Sequence, residues 1–271
     1  MSNPTSPASP PASPPTSPAT SPPGESAPDL DVVALQSVLQ QLAQAVQNER
    51  RHSERLFLQS EALTSLLAYL QPVAPFPPTR GWAASPDFLM LEVDAILEVA
   101  HRDGLEGLHV VEASSGVSTI TAAYTLKRLG ADPASAKVTS FEHDAGYAQK
   151  TRELIERHDL VDFATVVHAP LVDHQIDGDG FQWYDPAAIA GLDPISVLVV
   201  DGPPGRLGPI ARYPALPKFI HRMRAGVIVL ADDADRPGET AMIRRWQADH
   251  PEATCESLDT EKGAARFRFP M

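Results

Sequence analysis

The sequence predicts an α/β fold, with a mostly parallel seven-stranded sheet, helices on both faces and a closing antiparallel hairpin. Short apolar runs alternate with amphipathic stretches over the C-terminal two-thirds of the chain, which is typical of strand–helix–strand units. Only the turn-like segment 259–263 separates the last two runs, which indicates an antiparallel pair. The candidate strands are 108–112, 137–142, 164–168, 196–201, 227–231, 254–258 and 265–269, and the candidate helices are 117–129, 145–158, 209–224 and 238–249.

Two segments of different composition precede this pattern. Residues 1–28 are almost entirely Pro, Ser, Thr and Ala, so we expect a disordered tail, because little apolar surface is available to offset the ordering entropy. Residues 29–71 contain no Gly or Pro and carry apolar side chains at heptad spacing, as at Leu35, Leu39, Leu42 and Val46. This spacing predicts a long helix or coiled-coil arm that forms a homo-oligomer, or else a helix folded back on its own domain. The polar stretch 48–55 either breaks the helix or fixes its register.

A short connecting region, 72–107, follows the arm. Four prolines within 72–78 end the preceding helix, because proline lacks a backbone N–H. Ser85 followed by Pro86 is typical of a helix start, and Gly104 of a helix end. We therefore predict a linker and a cap helix here, and a single α/β domain over 108–271.

Composition and charge exclude several classes of function. The 271 residues carry a formal net charge of −13, which disfavours a nucleic acid as the principal partner. No apolar run approaches the roughly 20 residues of a membrane span, and the N-terminus does not have the pattern of a secretion signal. The single cysteine, Cys255, cannot form an intrachain disulfide. We expect a cytoplasmic protein.

Acidic residues follow the first two candidate strands, where an open parallel sheet binds its ligands. Glu112 precedes a loop of small residues, and Glu142 lies thirty positions later, about one strand–helix–strand unit. An acid at the end of the second strand, as at Glu142, can accept hydrogen bonds from both hydroxyls of a ribose. The alternative is a solvated acid at a strand end, but two such acids at this spacing favour a nucleotide-like cofactor.

Seven motifs in order resemble a bacterial family of class I, Rossmann-like S-adenosylmethionine-dependent methyltransferases associated with glycan or secondary-metabolite pathways. They are the segments 81–87, 115–119, 142–144, 183–185, 200–204, 212–216 and 232–236. The resemblance implies an S-adenosylmethionine site formed by Glu112, Ser114, Ser115, Gly116, Ser118, Glu142, His143, Ala169 and Asp201. In this sequence Ser114 stands where the family has its first glycine. Aromatic side chains and Arg suit sugar-like rings, so the candidate acceptor pocket contains Trp183, Tyr184, Arg212 and Tyr213, although these side chains could equally serve in packing.

A metal site is a further hypothesis. Related oxygen-methylating enzymes hold Mg²⁺ with an acid after the fourth strand and an acid pair after the fifth, which Asp201, Asp232 and Asp233 match. Carboxylate oxygens suit Mg²⁺, and a bound cation lowers the pKa of an acceptor hydroxyl. The alternative is that Asp233 or Asp235 caps the next helix while Asp201 orders its own turn. Either Asp201 or His143 is the candidate catalytic base.

The function that these observations predict is methylation of a hydroxyl on a sugar or small metabolite, optionally assisted by Mg²⁺. The acceptor would be a small molecule or a glycan. The alternative is a non-catalytic assembly protein, in which a coiled-coil arm carries a degenerate methyltransferase core. A nicotinamide-dependent oxidoreductase is disfavoured, because no Gly-x-Gly-x-x-Gly motif follows any candidate strand.

Overall fold

The computed structural model describes residues 32–271, so the predicted tail at 1–28 lies outside the described residues. The chain divides into two units after Arg50. Helix α1, Val32–Leu70, belongs to the first unit up to that residue and to the second from Arg51. None of the helices in the described part of the chain has the length and apolar character that crossing a membrane requires.

The two parts of α1 bury different fractions of their apolar side chains. In the first unit Leu35, Leu39 and Leu42 are 49–58% exposed. In the second unit Leu66 and Leu70 are completely buried in the core. The helix ends at Leu70, where the next residue has a positive φ and a proline follows.

The second unit is built on the predicted seven-stranded sheet. Its order is β3-β2-β1-β6-β7-β9-β8, in which the first five strands are parallel and the last two form the predicted antiparallel hairpin. The prediction of the fold class is therefore confirmed. These strands are β1 His109–Ala113, β2 Lys137–Glu142, β3 Ala164–His168, β6 Ile195–Val200, β7 Met223–Asp232, β8 Thr254–Leu258 and β9 Ala264–Arg268.

Helices cover both faces of the sheet because the central strands are apolar on both sides. On one face lie α2 (Pro86–Asp103), α3 (Val117–Arg128) and α4 (Ala145–Arg157), together with the end of α1. On the other lie α5 (Pro186–Ile189), α6 (Ala215–Phe219) and α7 (Pro237–Asp249). The buried side chains of α2 make the predicted cap helix part of the core.

The predicted helix over 209–224 is wrong. Only α6 and a single 3₁₀ turn, Ile220–Arg222, form there, and β7 already begins at Met223. Three prolines, Pro209, Pro214 and Pro217, fall in this stretch and remove the N–H groups that a longer helix needs. The apolar spacing predicted a helix, but the backbone chemistry limits it to five residues.

An antiparallel hairpin that the sequence analysis did not predict is inserted between β3 and β6. Its strands are β4, Leu171–Ile176, and β5, Asp179–Tyr184. The connecting residues Asp177 and Gly178 both have positive φ, at 52° and 90°. An Asp-Gly pair between two strands is a strong signal for a two-residue hairpin turn, and it was available in the sequence.

Two buried carboxyl groups lie near each other where α2 packs beneath the sheet. Glu92 of α2 and Glu112 of β1 are completely buried. Neither oxygen of Glu92, nor Glu112 Oε1, has a hydrogen-bond partner in the part of the chain described. Burial raises the pKa of Glu92 well above its usual range, and the carboxyl groups of Glu112 and Asp201 add to this. A proton on Glu92 allows it to donate to Glu112, which satisfies an oxygen on each residue.

Substitution Glu92→Gln removes a group whose folded-state pKa is raised. Below about pH 4.5 the wild-type side chain is protonated in both states and carries no penalty. As the pH rises, the unfolded chain releases this proton first, so the folded state loses stability by up to about 1.4 kcal/mol per pH unit until the folded pKa is reached. We expect the free energy of unfolding of the variant to fall less between pH 5 and 8, measured by urea denaturation. The exposed Glu106→Gln is the control, and equal pH dependence in both variants would contradict this account.

Candidate functional site

A cleft opens at the carboxyl ends of the parallel strands, between β1 and β6. The order of the strands reverses at this point, and Asp201 N donates to Ala113 O over 3.2 Å where the two strands end. Such a reversal leaves room for a ligand between the two loops that follow. The cleft has a volume of about 1040 Å³. Its lining includes the predicted site residues Ser114, Ser115, Glu142, His143, Tyr184, Asp201, Arg212 and Asp233.

The loop after β1 turns sharply into α3. Ser114 has a φ of 139° and Gly116 a φ of 153°, values that favour glycine. The side chain at Ser114 therefore makes this turn more strained than a glycine at the same position would. At the helix start Gly116 N donates to Thr119 Oγ1 over 3.1 Å, which satisfies a backbone N–H group.

Glu112 is buried behind this loop, which it contacts through hydrogen bonds, and it does not line the cleft. Its Oε2 accepts from Thr119 Oγ1 over 2.6 Å and from the hydroxyl of Ser140. Burial raises the pKa of Glu112, while these hydroxyl donors lower it. Through Thr119 the carboxylate reaches the backbone of Gly116. Glu112 thus acts on the predicted cofactor loop indirectly.

Glu142, at the end of β2, faces the cleft and is held in place by its neighbours. Its Oε1 accepts from Asp144 N over 2.9 Å and lies 3.0 Å from His143 Nδ1. Its Oε2 is 3.3 Å from Ser115 Oγ in the loop after β1. The adjacent parallel strands β1 and β2 bring the two loops together. A fixed carboxylate beside a loop of small residues can accept hydrogen bonds from vicinal hydroxyls.

A second acidic group lies on the β6 and β7 side of the cleft. Oxygens of Asp201, Asp232 and Asp233 approach within 4.8 Å of one another. Burial raises the pKa of Asp201 to about 6, with Arg212 acting against the shift. Burial and the two neighbouring carboxylates raise the pKa of Asp232 to about 8. Asp232 Oδ2 and Asp233 Oδ1 are buried without a hydrogen-bond partner in the described residues.

The buried guanidinium of Arg212 joins the loops around these acids. Its Nη2 lies 2.9 Å from Asp233 Oδ2 and 3.3 Å from Asp201 Oδ1. Its Nε donates to Pro203 O over 3.2 Å and lies 3.7 Å from Glu239 Oε1 of α7. The three carboxylates are nonetheless hard oxygen donors with two unsatisfied atoms, and this donor set fits Mg²⁺.

Besides Glu112, four predicted cofactor or acceptor residues are buried and do not line the cleft. Ser118 and Ala169 are buried and do not line the cleft. Trp183 packs in the core beneath the sheet, and Tyr213 directs its hydroxyl to Asp249 Oδ2 over 2.9 Å. These positions favour the packing role that the sequence left open for the two aromatic residues.

The cleft also contains residues that the sequence analysis did not assign to the site. Lys262, in the β8–β9 turn, donates to the carbonyls of Gly81 and Ala83 over 3.1 and 2.7 Å. Between them Trp82 is 77% exposed at the cleft wall. Other polar or aromatic residues of this additional lining include Tyr147, Arg206, Arg236 and Glu239. In the sequence, the only indication was that Trp82 and Arg236 lie in two of the seven ordered motifs, segments 81–87 and 232–236.

Comparisons with known proteins identify the fold. No protein-family model matches the sequence, and no curated protein matches it. An O-methyltransferase from Bacillus cereus in complex with SAH has a TM-score of 0.52 and 16% identity, over 80% of this chain and 97% of that chain. The METTL16 methyltransferase domain has a TM-score of 0.53 and 12% identity, over 78% of each chain.

A third solved structure has a similar fold. The human methyltransferase 10 domain containing protein has a TM-score of 0.50 and 12% identity, covering 80% of this chain and 96% of that chain. Identities this low establish a common fold and nothing finer. The chain therefore has the Rossmann-like fold of class I methyltransferases, with the cleft at the strand ends where that fold binds its ligands.

Proposed function

We propose that the protein is an S-adenosylmethionine-dependent methyltransferase that acts on a hydroxyl of a sugar or small metabolite. The observation that carries the proposal is the convergence of Ser115, Glu142 and Asp201 on one cleft at the strand-order reversal. A charged cleft of this kind favours an enzyme over a non-catalytic assembly protein. The fold shared with methyltransferases supports the same choice.

The cofactor is proposed to lie across the ends of β1 and β2. The loop at Ser114 and Ser115 would contact it closely, and Glu142 would accept hydrogen bonds from its ribose hydroxyls. His143, 3.0 Å from Glu142, lines the same wall. Glu112 would keep the loop in shape through Thr119 and Gly116.

The chemistry requires alignment of the acceptor and removal of one proton. When bound, S-adenosylmethionine supplies a methyl group on a positively charged sulfur, and the acceptor hydroxyl loses its proton as the new bond forms. We propose Asp201 as the proton acceptor, because its pKa of about 6 leaves it ionised at neutral pH yet more basic than an ordinary aspartate. His143 also lines the cleft, and it would accept this proton where Asp201 instead holds a cation.

Mg²⁺ assistance is a second part of the proposal. Asp201, Asp232 and Asp233 would hold the cation, which would lower the pKa of an acceptor hydroxyl. The raised pKa values of Asp201 and Asp232 support this, because a bound cation would compensate the crowding of negative charge. In its absence Arg212 is the buried cation nearest to these carboxylates.

The acceptor is proposed to enter beside Trp82. The exposed indole offers a flat apolar surface of the kind on which sugar rings and aromatic metabolites pack. Arg206, exposed on the same cleft, has no ion pair or hydrogen bond in the described residues and is available to a polar group of the acceptor.

Self-association through residues 29–71 is also proposed. Within the first unit, Leu35, Leu39, Leu42 and Val46 of α1 are 49–60% exposed at heptad-compatible spacing. Burying such a row against a second copy of the helix would remove it from water. Self-association does not depend on whether the protein is a methyltransferase.

Binding of S-adenosylhomocysteine tests the proposed function directly. We expect the wild-type chain to bind it in isothermal titration calorimetry, and Glu142→Gln to weaken binding more than tenfold through loss of charge-assisted hydrogen bonds. Glu153→Gln, an exposed acid on α4, is the matched control and should bind like the wild type. No binding by the wild type at millimolar ligand would rule out the enzyme.

Proton release tests the metal site without requiring an acceptor. Because the pKa of Asp232 is about 8, this group is largely protonated at pH 7, and Mg²⁺ should displace its proton. Calorimetric titration with Mg²⁺ in buffers of different ionisation enthalpy should therefore detect proton release, and Asp232→Asn should abolish it. Asp235→Asn, at an exposed neighbouring acid, is the control. Absence of any Mg²⁺ binding heat in all buffers would exclude this site.

Substitution of the exposed leucines tests self-association. We expect the full chain to sediment as an oligomer and the double variant Leu39→Lys, Leu42→Lys to sediment as a monomer, because buried like charges oppose helix pairing. Binding of S-adenosylhomocysteine should be unchanged. A wild-type chain that is monomeric at high micromolar concentration would refute the proposal.

A further inference from the structure

Tyr184 ends the inserted hairpin and lies against the underside of the sheet. Its ring packs 6.1 Å from that of Phe141 and 4.9 Å from that of Trp183, measured between centroids. The side chain is completely buried, yet it belongs to the lining of the cleft. The β4–β5 hairpin, which is not part of the seven-stranded sheet, therefore places the Tyr184 hydroxyl at the ends of the strands of that sheet.

The hydroxyl of Tyr184 lies where the loops after β1 and β6 meet. A Cβ atom at Gly202 would be 3.1 Å from this oxygen, and 3.0 Å from both Ala113 O and Ser114 Cβ. Any side chain at Gly202 would crowd this junction. Because Gly202 has no side chain, the Tyr184 hydroxyl can lie beside the strained loop at Ser114, which is the loop proposed to contact the cofactor.

This hydroxyl is buried without a hydrogen-bond partner in the described residues. Buried tyrosine hydroxyls normally have one, because an unpaired polar group is costly away from water. Two other buried tyrosines follow that rule, since Tyr124 pairs with His158 Nδ1 over 2.9 Å and Tyr213 with Asp249 Oδ2 over 2.9 Å. Tyr184 is the exception among these three, and it is the one that faces the cleft.

The surroundings of Tyr184 define its chemical role. Burial, and then the nearby carboxylates of Glu142, Asp201 and Glu112, raise the pKa of the phenol well above its usual value, while Arg212 opposes the shift. The group therefore stays protonated and acts as a donor, and it does not serve as a base. Its partner must be an oxygen or nitrogen lone pair.

We propose that the Tyr184 hydroxyl donates a hydrogen bond to the bound cofactor at the junction of the β1 and β6 loops. The proposal rests on the proposed function, because the cofactor is the ligand assigned to this junction. The cofactor is favoured over the acceptor because the oxygen lies next to the Ser114 loop and near Glu142. The inserted hairpin would then contribute to affinity for S-adenosyl ligands.

The experiment compares Tyr184→Phe with Tyr213→Phe, which removes the hydroxyl of a buried tyrosine outside the cleft. Binding of S-adenosylhomocysteine is measured by calorimetry, and unfolding of the ligand-free proteins by urea. Tyr184→Phe should weaken binding about tenfold, as expected for one hydrogen bond, and should not lower the stability of the free protein. Tyr213→Phe should lower the stability and leave the dissociation constant unchanged.

The possible failures are distinguishable. If the wild type binds S-adenosylhomocysteine and Tyr184→Phe binds it equally well, the hydroxyl does not contact the cofactor and the inference is wrong. A loss of stability in ligand-free Tyr184→Phe like that of Tyr213→Phe would also overturn it, because the hydroxyl would then have a partner before the ligand binds. If the wild type does not bind, the proposed function fails and the inference fails with it.

Discussion

The buried guanidinium of Arg212 joins the loops that form one side of the cleft. It donates to the carbonyl of Pro203 after β6 and to the carbonyl of Asp232 and the carboxylate of Asp233 at the end of β7, and it lies near Glu239 on α7. These segments are far apart in sequence and carry mostly negative charge. Without a central cation their carboxylates would repel one another in a poorly solvated space. The shape of this wall thus depends on an ion pair network in which Arg212 is the buried cation and the more exposed Arg236 lies 2.7 Å from Asp233 Oδ2.

The opposite wall depends on a different arrangement of charge. Glu112 and Glu142 end neighbouring strands, yet one carboxylate is enclosed beneath the sheet and the other opens into the cleft. The enclosed acid shapes the loop through Thr119, while the open one is available to a ligand. Two acids with the same position in the sequence pattern therefore have distinct roles. Glu112 pairs in register with Ser140, so Glu142 lies two residues further towards the open edge of the sheet.

The sheet was predictable because its strands are short apolar runs, with an acid at or just after the ends of β2, β6 and β7. Glu142 and Asp201 could be assigned to the cleft for the same reason, since parallel strands end at one edge. The extent of α6 was not predictable from apolar spacing, because the prolines in that region override it. The β4–β5 hairpin was missed although Asp177-Gly178 signalled it. The interior position of Tyr213 and the exposure of Trp82 depend on tertiary packing, which local pattern does not encode.

The contact between Lys262 and the carbonyls of Gly81 and Ala83 joins residues about 180 positions apart. One rim of the cleft therefore comes from the segment around Trp82, and the β8–β9 turn supports it. Ribosomal synthesis makes residues 81–83 well before residue 262, so this rim cannot be secured until the β8–β9 turn has been made. A nascent chain that does not yet contain Lys262 would lack this support for Trp82, so this part of the cleft wall forms late relative to the strands that precede it.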